Sequence, residues 1–364
     1  MDFKCYKCGH TESSATLKPR CDCGGLWDLD YTPPMFSAGR IDRNEWNMFR
    51  YHDFMALEGD SWKAVSMGEG MTPIIRLDDN VMLKMDYFMP TLSVKDRGAA
   101  VLVSHCKDIG VKSVVQDSSG NAGNSVAAYC ARAGIKCEIF VPEGTSPGKI
   151  AMIRAHGAKV NIVPGTRDHC ADVCRSRVFE HGAYYANHVY NPYFYEGTKT
   201  YIYEVFEQLG RIPEHLIIPV GNGTLFLGAV MALEHLESSG LIPHFPQIIA
   251  LQSENCDPLL QAAGRNEHAP AHITPAPTLA EGIAIGRPMR GERILELARV
   301  HSIRFIHARE NAILDAQSHL ARHGIFCELT TAANYAAYLN YCAQYGSTPD
   351  CLITMCGAGL KSVH

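Results

Sequence analysis

Short apolar runs alternate with longer stretches of mixed apolar and polar residues along most of this chain, most regularly from residue 81 onward. Residues 114–116 read as a strand, Asp117-Ser118-Ser119-Gly120-Asn121 as a polar loop, and 122–133 as a helix stopped by Gly134. The order then repeats. A strand at 136–141 precedes a helix at 149–156 ended by Gly157, and a strand at 160–163 precedes a helix at 168–180 ended by Gly182. A second series opens with a strand at 216–220, the loop Gly221-Asn222-Gly223-Thr224 and a helix at 225–236, followed by a strand at 248–252. After a long connection at 265–290, rich in Pro, His and Ala, come a strand at 303–306, helices at 309–323 and 331–344, and a last strand at 352–355. Repeated strand–helix units with glycine stops predict an α/β fold built on largely parallel sheets.

The beginning of the chain breaks this pattern. Residues 1–30 carry Cys5-x-x-Cys8-Gly9 and Cys21-x-Cys23-Gly24-Gly25. Two cysteine pairs, each followed by glycine, are similar to a zinc ribbon, in which tight turns present paired thiolates. The second pair has one intervening residue instead of two, so a structural zinc on Cys5, Cys8, Cys21 and Cys23 and a metal-free turn both remain open. Residues 42–60, with Trp46, Phe49, Tyr51 and Phe54, read as a helical segment docked by its aromatics.

Composition narrows the function classes. The chain has 364 residues, 46% hydrophobic and 20% charged, which is long enough for two packed domains. A net charge of −5 argues against binding nucleic acid through its phosphates. The N-terminus has no apolar leader segment, and no run is apolar enough to span a bilayer. A soluble, cytoplasmic protein with no membrane partner is expected, its 14 cysteines held as reduced thiols.

Three loops at predicted strand ends carry candidate chemistry, because ligands of open α/β sheets gather at that edge. The first is Pro90-Thr91-Leu92-Ser93-Val94-Lys95-Asp96-Arg97-Gly98. A buried, unprotonated Lys95 could form an imine, although a surface lysine opening a helix explains the same residues. The second, Ser118-Ser119-Gly120-Asn121, offers hydroxyls and free N–H groups to a carboxylate or phosphate; a helix cap needs only one of these residues. The third, Gly221-Asn222-Gly223-Thr224, lets backbone amides approach a phosphate but lacks the third glycine of a dinucleotide fingerprint. No Gly-x-Ser-x-Gly elbow of a serine hydrolase is present.

Taken together, these loops resemble the threonine synthase family, within the fold type II enzymes that use pyridoxal phosphate. The resemblance runs from the Cys-rich cap through Gly68-Glu69-Gly70-Met71-Thr72-Pro73, Ser93-Val94-Lys95-Asp96-Arg97-Gly98 and Ser118-Ser119-Gly120-Asn121-Ala122-Gly123. It continues through Asn191-Pro192, Glu196-Gly197-x-Lys199-Thr200, Pro219-Val220-Gly221-Asn222-Gly223 and Gly357-Ala358-Gly359-Leu360-Lys361. It implies that Lys95 carries the cofactor as a Schiff base and later moves protons, and that Asn121 bonds the cofactor's phenolic oxygen. Gly221, Asn222, Gly223 and Thr224 are to hold its phosphate, Cys356 to lie beside its pyridine nitrogen, and Ser118 and Ser119 to receive an anionic group of an amino-acid substrate. The implied architecture is two open, twisted parallel-sheet domains with the cofactor in their cleft and a small Cys-rich cap. The expected boundaries are 1–30 for the cap, 31–84 plus 196–364 for the large cofactor domain, and 85–195 for the small substrate domain. A homodimer is implied by the same resemblance.

The chain also departs from the family pattern. Met89-Pro90-Thr91-Leu92-Ser93 stands where the family has Asn-Pro-Thr-Gly-Ser, Ala122 replaces a threonine, and Cys356 replaces a serine or threonine. Thr278-Leu279-Ala280-Glu281-Gly282-Ile283-Ala284 looks more like threonine and serine dehydratases. Two enzymatic readings follow. One is elimination of phosphate from O-phosphohomoserine with addition of water to give threonine; it needs a second anion pocket, to which Lys149, Arg97 and Lys199 are candidate contributors. The other is β-elimination or β-replacement on serine, threonine or O-phosphoserine. A non-catalytic, cofactor-carrying regulator is a third class, disfavoured by the intact lysine and anion loops.

Overall fold

The computed structural model describes residues 1–165 and 167–362. Strands β1 (Asp2–Cys5), β2 (Thr11–Ser13) and β3 (Trp27–Leu29) come first, followed by the short helix α1 (Trp62–Val65) and strands β4 (Ile74–Arg76) and β5 (Val81–Lys84). Then come α2 (Lys95–Asp108), β6 (Ser113–Gln116), α3 (Asn121–Ala133), β7 (Lys136–Pro142), α4 (Pro147–Ala155), β8 (Lys159–Val163), α5 (Arg167–His181) and β9 (Tyr184–Tyr185). Helices α6 (Tyr193–Thr198) and α7 (Thr200–Leu209) lead to β10 (His215–Pro219), α8 (Thr224–Ser238), β11 (Gln247–Ser253) and α9 (Pro258–Gly264). The chain closes with α10 (Gly291–Val300), β12 (Arg304–Ala308), α11 (Glu310–Arg322), α12 (Leu329–Tyr345) and β13 (Cys351–Thr354). Among the described residues, no helix is long and apolar enough to cross a membrane.

Contacts divide the chain into two compact units: Met1–Glu69 with Lys95–Thr198, and Gly70–Val94 with Lys199–His364. This differs from the division expected from sequence, because residues 1–69 belong with the unit that contains Lys95. The ties are specific. Ala56 N–H donates to Glu196 Oε2 at 2.7 Å, and Ser61 N–H to Asp108 Oδ1 at 3.2 Å. His105 Nδ1 lies 3.1 Å from Glu58 Oε2 and holds that carboxyl down at about 2, well below its ordinary value.

The first unit contains a parallel sheet of order β8-β7-β6-β9 and the antiparallel cap sheet β2-β1-β3. Helix ends follow local chemistry. Gly134 ends α3 in the left-handed conformation at φ 71°, where a side chain is strained. Pro147 opens α4, and Ser146 accepts from the Lys149 N–H. The segment expected as a helix at 42–60 is a short 3-10 helix at Met48–Phe54; Phe49, Tyr51 and Phe54 are buried, but Trp46 is 79% exposed and docks nothing. On the cap, Phe3 stacks on Trp27, and His105 of α2 stacks on Tyr193 with ring centres 3.7 Å apart. Glu69 is fully enclosed, accepts from Tyr129 Oη at 2.9 Å and from the Met67 N–H, and is pushed above the ordinary carboxyl range by burial.

The second unit contains a six-stranded sheet of order β12-β11-β10-β13-β5-β4, parallel except for the edge pair β4–β5. Its central strands are buried almost without interruption, as parallel strands covered on both faces must be. One core lies between this sheet and α11 and α12, from Val81 and Ile217 to Ile313, Ala333 and Tyr338.

Candidate active site

Each sheet has one place where its strand order reverses. In the first unit the chain runs β6, β7, β8 in one direction, then returns with β9 on the other side of β6. In the second unit it runs β10, β11, β12 and returns with β13 on the other side of β10. At such a reversal the loops leaving adjacent strands diverge, and a ligand crevice opens beyond the carboxyl ends. Every loop residue singled out from sequence after β6, β10 or β13 lies at one of these reversals.

In the first unit the loop after β6 presents Ser118, Ser119 and Asn121. Ser118 is buried and the other two are half-buried. The Gly120 N–H approaches Ser118 Oγ at 3.4 Å. Gly123 is required here, since a Cβ on it would lie 1.8 Å from the Ser118 carbonyl oxygen. The loop is tied to the segment after β9: Asp117 Oδ1 accepts from Tyr185 Oη and from Asn187 Nδ2, each at 2.7 Å. Gln116 Nε2 donates to the Ala186 carbonyl at 3.0 Å.

Lys95 is the first residue of α2 and is half-buried. Its helix is held close to α6 through two glycines. A Cβ on Gly98 would fall 2.2 Å from Phe194 Cδ1, and one on Gly197 only 1.9 Å from the Arg97 carbonyl oxygen. Asp96 accepts from Ser125 Oγ of α3. Arg97, expected as an anion contact, is completely enclosed in this packing, and Lys199 is 2% exposed; Lys149 is half-buried near the start of α4.

His188, which no motif marked, lies three residues past β9. It is 8% exposed, its Nδ1 has no hydrogen-bond partner, and its ring meets Phe194 edge-on at 5.7 Å. Burial first, then the Lys95 and Arg167 cations, bring its imidazole down to about 3, so it is neutral at physiological pH.

In the second unit the loop Gly221-Asn222-Gly223-Thr224 runs from β10 into α8. Gly223 caps that helix at φ 80° and no side chain caps it. A Cβ on Gly223 would lie 2.4 Å from Ile294 Cδ1, and one on Gly221 3.0 Å from Ile285 Cγ1. The loop stands at a helix N-terminus, where amide groups favour an anion. Across the reversal, Cys356 follows β13 and is buried; its Sγ lies 3.2 Å from Thr331 Oγ1 and 3.9 Å from Asn334 Nδ2. Asn334 Oδ1 and Ser93 Oγ are buried without partners. Thr331 Oγ1 also accepts from the Gly357 N–H at 2.8 Å. Val94, the residue before Lys95, donates its N–H to the Cys356 carbonyl at 2.9 Å.

The cap brings its four cysteines together. Their sulfur atoms all lie within 4.8 Å of one another, with Cys5–Cys23 at 3.4 Å and Cys8–Cys21 at 3.7 Å. Gly25 is required at this knot, because a Cβ there would lie 2.5 Å from Cys5 Sγ.

The chain is similar to known proteins over most of its length. A family model described as pyridoxal-phosphate dependent enzyme matches residues 65–357. Threonine synthase of Methanocaldococcus jannaschii is 31% identical over 348 residues, covering 92% of this chain and 85% of that protein. Threonine synthase of Mycobacterium leprae is 32% identical, covering 83% of this chain and 85% of that one. Among solved structures, maize serine racemase has a TM-score of 0.68 at 19% identity, over 82% of this chain and 91% of that chain. The processed form of threonine deaminase isoform 2 from Solanum lycopersicum has a TM-score of 0.68 at 22% identity, over 79% of this chain and 79% of that one. At these identities the two structures establish the shared fold alone.

Proposed function

The chain belongs to the pyridoxal-phosphate dependent enzymes, and from that premise we propose that it eliminates phosphate from O-phosphohomoserine and adds water to give L-threonine. The observation that carries this reading is the 31% identity to a threonine synthase over 92% of the chain. The residues present also fit the cofactor. The Gly221–Thr224 loop at the start of α8 suits a phosphate, and glycine is required at 223 by the neighbouring Ile294 and the left-handed backbone. The unpartnered Asn334 Oδ1 lies in the group around the Cys356 thiol, which suits the edge of an uncharged ring.

Pyridoxal phosphate, when bound, supplies an electron sink that lets the α-proton of an amino acid leave. Lys95 would hold the cofactor through its Nζ, and the same amine would be the base that takes the α-proton and returns protons along the carbon chain. Ser118, Ser119 and the amides beside them hold the substrate carboxylate, while Asn121 orients the ring. Cys356 offers a weak, neutral partner to the ring nitrogen. In the overall change one Cβ–H bond and the Cγ–O bond break with phosphate leaving, Cγ gains a proton in place of the one lost from Cβ, and water gives its OH to Cβ and its remaining proton to the phosphate.

A second reading, β-elimination or β-replacement on serine, threonine or O-phosphoserine, is favoured by Ala122 and by the dehydratase-like run 278–284. Purified holoenzyme given O-phosphohomoserine is expected to release phosphate and threonine in equal amounts. Phosphate without threonine, or turnover of only the serine-type substrates, transfers the function to the second reading.

The four cap cysteines are assigned to one structural zinc. Zn–S bonds of about 2.3 Å in a tetrahedron set sulfur–sulfur edges of roughly 3.8 Å, close to the distances seen for Cys5–Cys23 and Cys8–Cys21. Elemental analysis is expected to find about one zinc per chain. Removing it with a chelator is expected to shift Trp27 fluorescence to the red, since Trp27 is 1% exposed against Phe3. Zinc-free protein with unchanged emission would leave the knot a metal-free turn.

A further inference from the structure

The reversal in the first unit holds three buried polar atoms that no group of the chain satisfies: Gln116 Oε1, Asn124 Oδ1 and His188 Nδ1. Leaving such an atom unpaired costs about 1–3 kcal/mol. Three at one sheet edge therefore mark a place where a ligand completes the bonding. Gln116 ends β6, Asn124 lies in the first turn of α3 that follows it, and His188 follows β9. β6 and β9 are parallel neighbours with Val114 beside Tyr184 and Val115 beside Tyr185. Continuing that register sets Asp117 beside Asn187, which are joined at 2.7 Å; Ser118 and the turn residue His188 follow these two directly in the chain. Gln116 reaches the same place, since a Cβ on Gly123 would lie 3.5 Å from its Oε1.

The charges around His188 specify what it can accept. The groups that act on it electrostatically are both cations, Lys95 and Arg167. Asp117, the nearest carboxylate in the register, has one oxygen taken up by Tyr185 and Asn187. A neutral imidazole that can donate one hydrogen bond, beside two cations, suits an anion whose other oxygens face solvent or Arg167. It is a donor that holds a departing anion less tightly than an ammonium does.

We propose that His188 is a specificity-determining residue that hydrogen-bonds the anionic group on the substrate's side chain, leaving Ser118 and Ser119 to the α-carboxylate. Naming that group a phosphate ester rests on the O-phosphohomoserine reading; the recognition of an anion by His188 does not. The side-chain anion and the carboxylate are then read by adjacent strands, His188 after β9 and the serines after β6.

The test separates the two ideas by measuring binding without turnover. Holoenzyme, with its cofactor in place, is titrated with inorganic phosphate and, separately, with L-threonine in a calorimeter. His188→Ala is expected to weaken phosphate about tenfold or more while changing L-threonine affinity less than about twofold. The cofactor's visible absorption is expected to stay as in the parent. His188→Gln, which keeps the bulk and a donor, is expected to recover most of the phosphate affinity and covers the case of an alanine variant that fails to fold. Phosphate affinity unchanged in both variants, phosphate and threonine weakened together, or no phosphate binding by the parent would each overturn the assignment. Phosphate binding lost with His188 in an enzyme that ignores O-phosphohomoserine would keep the assignment and retire the substrate.

Discussion

Replacing Lys95 with alanine is expected to lower kcat by about 10⁴-fold and to remove the visible absorption of a lysine-bound cofactor. The lysine serves twice in the proposed reaction, as covalent anchor and as the base at the α-carbon, so one substitution removes both. Lys95→Arg is expected to be as inactive as the alanine variant, because a guanidinium stays protonated and forms no imine. Neither variant should unfold early. The first turn of α2 is fixed by Gly98 against Phe194 and by Asp96 with Ser125, both of which remain in these variants. Unfolding free energies within about 1 kcal/mol of the parent are therefore expected. An alanine variant that keeps both the absorption and the turnover would move the role to another lysine.

The largest stability loss is expected at Lys84. Its ammonium is fully enclosed and donates to the Thr72 carbonyl at 2.6 Å, Glu204 Oε2 at 2.8 Å and Gln208 Oε1 at 3.0 Å. Glu204 Oε1 meanwhile accepts from the Met71 N–H at 2.8 Å. Lys84→Met strands a buried carboxylate, a change that costs about 3–5 kcal/mol. The double variant Lys84→Met with Glu204→Gln removes both charges yet keeps an acceptor for Met71, and is expected to regain at least half of the loss. Urea unfolding of the single and double variants reads this directly. A single variant within about 1 kcal/mol of the parent would mean that solvent reaches Glu204. The same contacts give the Met71-Thr72 part of the run 68–73 a structural role, since its backbone closes the polar end of β5.

The fold was legible where periodicity and punctuation agreed. The α3–β7–α4–β8 series was readable because glycine or proline marks the helix ends, Gly134 after α3 and Pro147 at the start of α4. Helix α6 was not, because Tyr193, Phe194, Tyr195, Glu196, Gly197 and Thr198 are all buried and no polar stripe marks a period. Strand β9, at two residues, is too short to carry an alternation. Its absence from the sequence reading hid the reversal beside β6 and with it His188. The allegiance of residues 31–69 was equally hidden, since it rests on partners such as Glu58–His105 and Ala56–Glu196 that are far apart in the chain. The loop residues Ser118, Ser119, Asn121, Gly221–Thr224 and Cys356 were found from local chemistry and from resemblance. Their common position at strand-order reversals needed the topology.

The glycines at 98 and 197 have a mechanical consequence. Gly197 brings α6 onto the backbone of α2 and the Phe194 ring lies over Gly98, so the end of α2 that bears Lys95 behaves as a clamped end of a beam. Displacement there is resisted by the stiffness of two rods instead of one. A tilt of α2 must carry the 193–198 segment with it, and the amine travels only as far as that joined body travels.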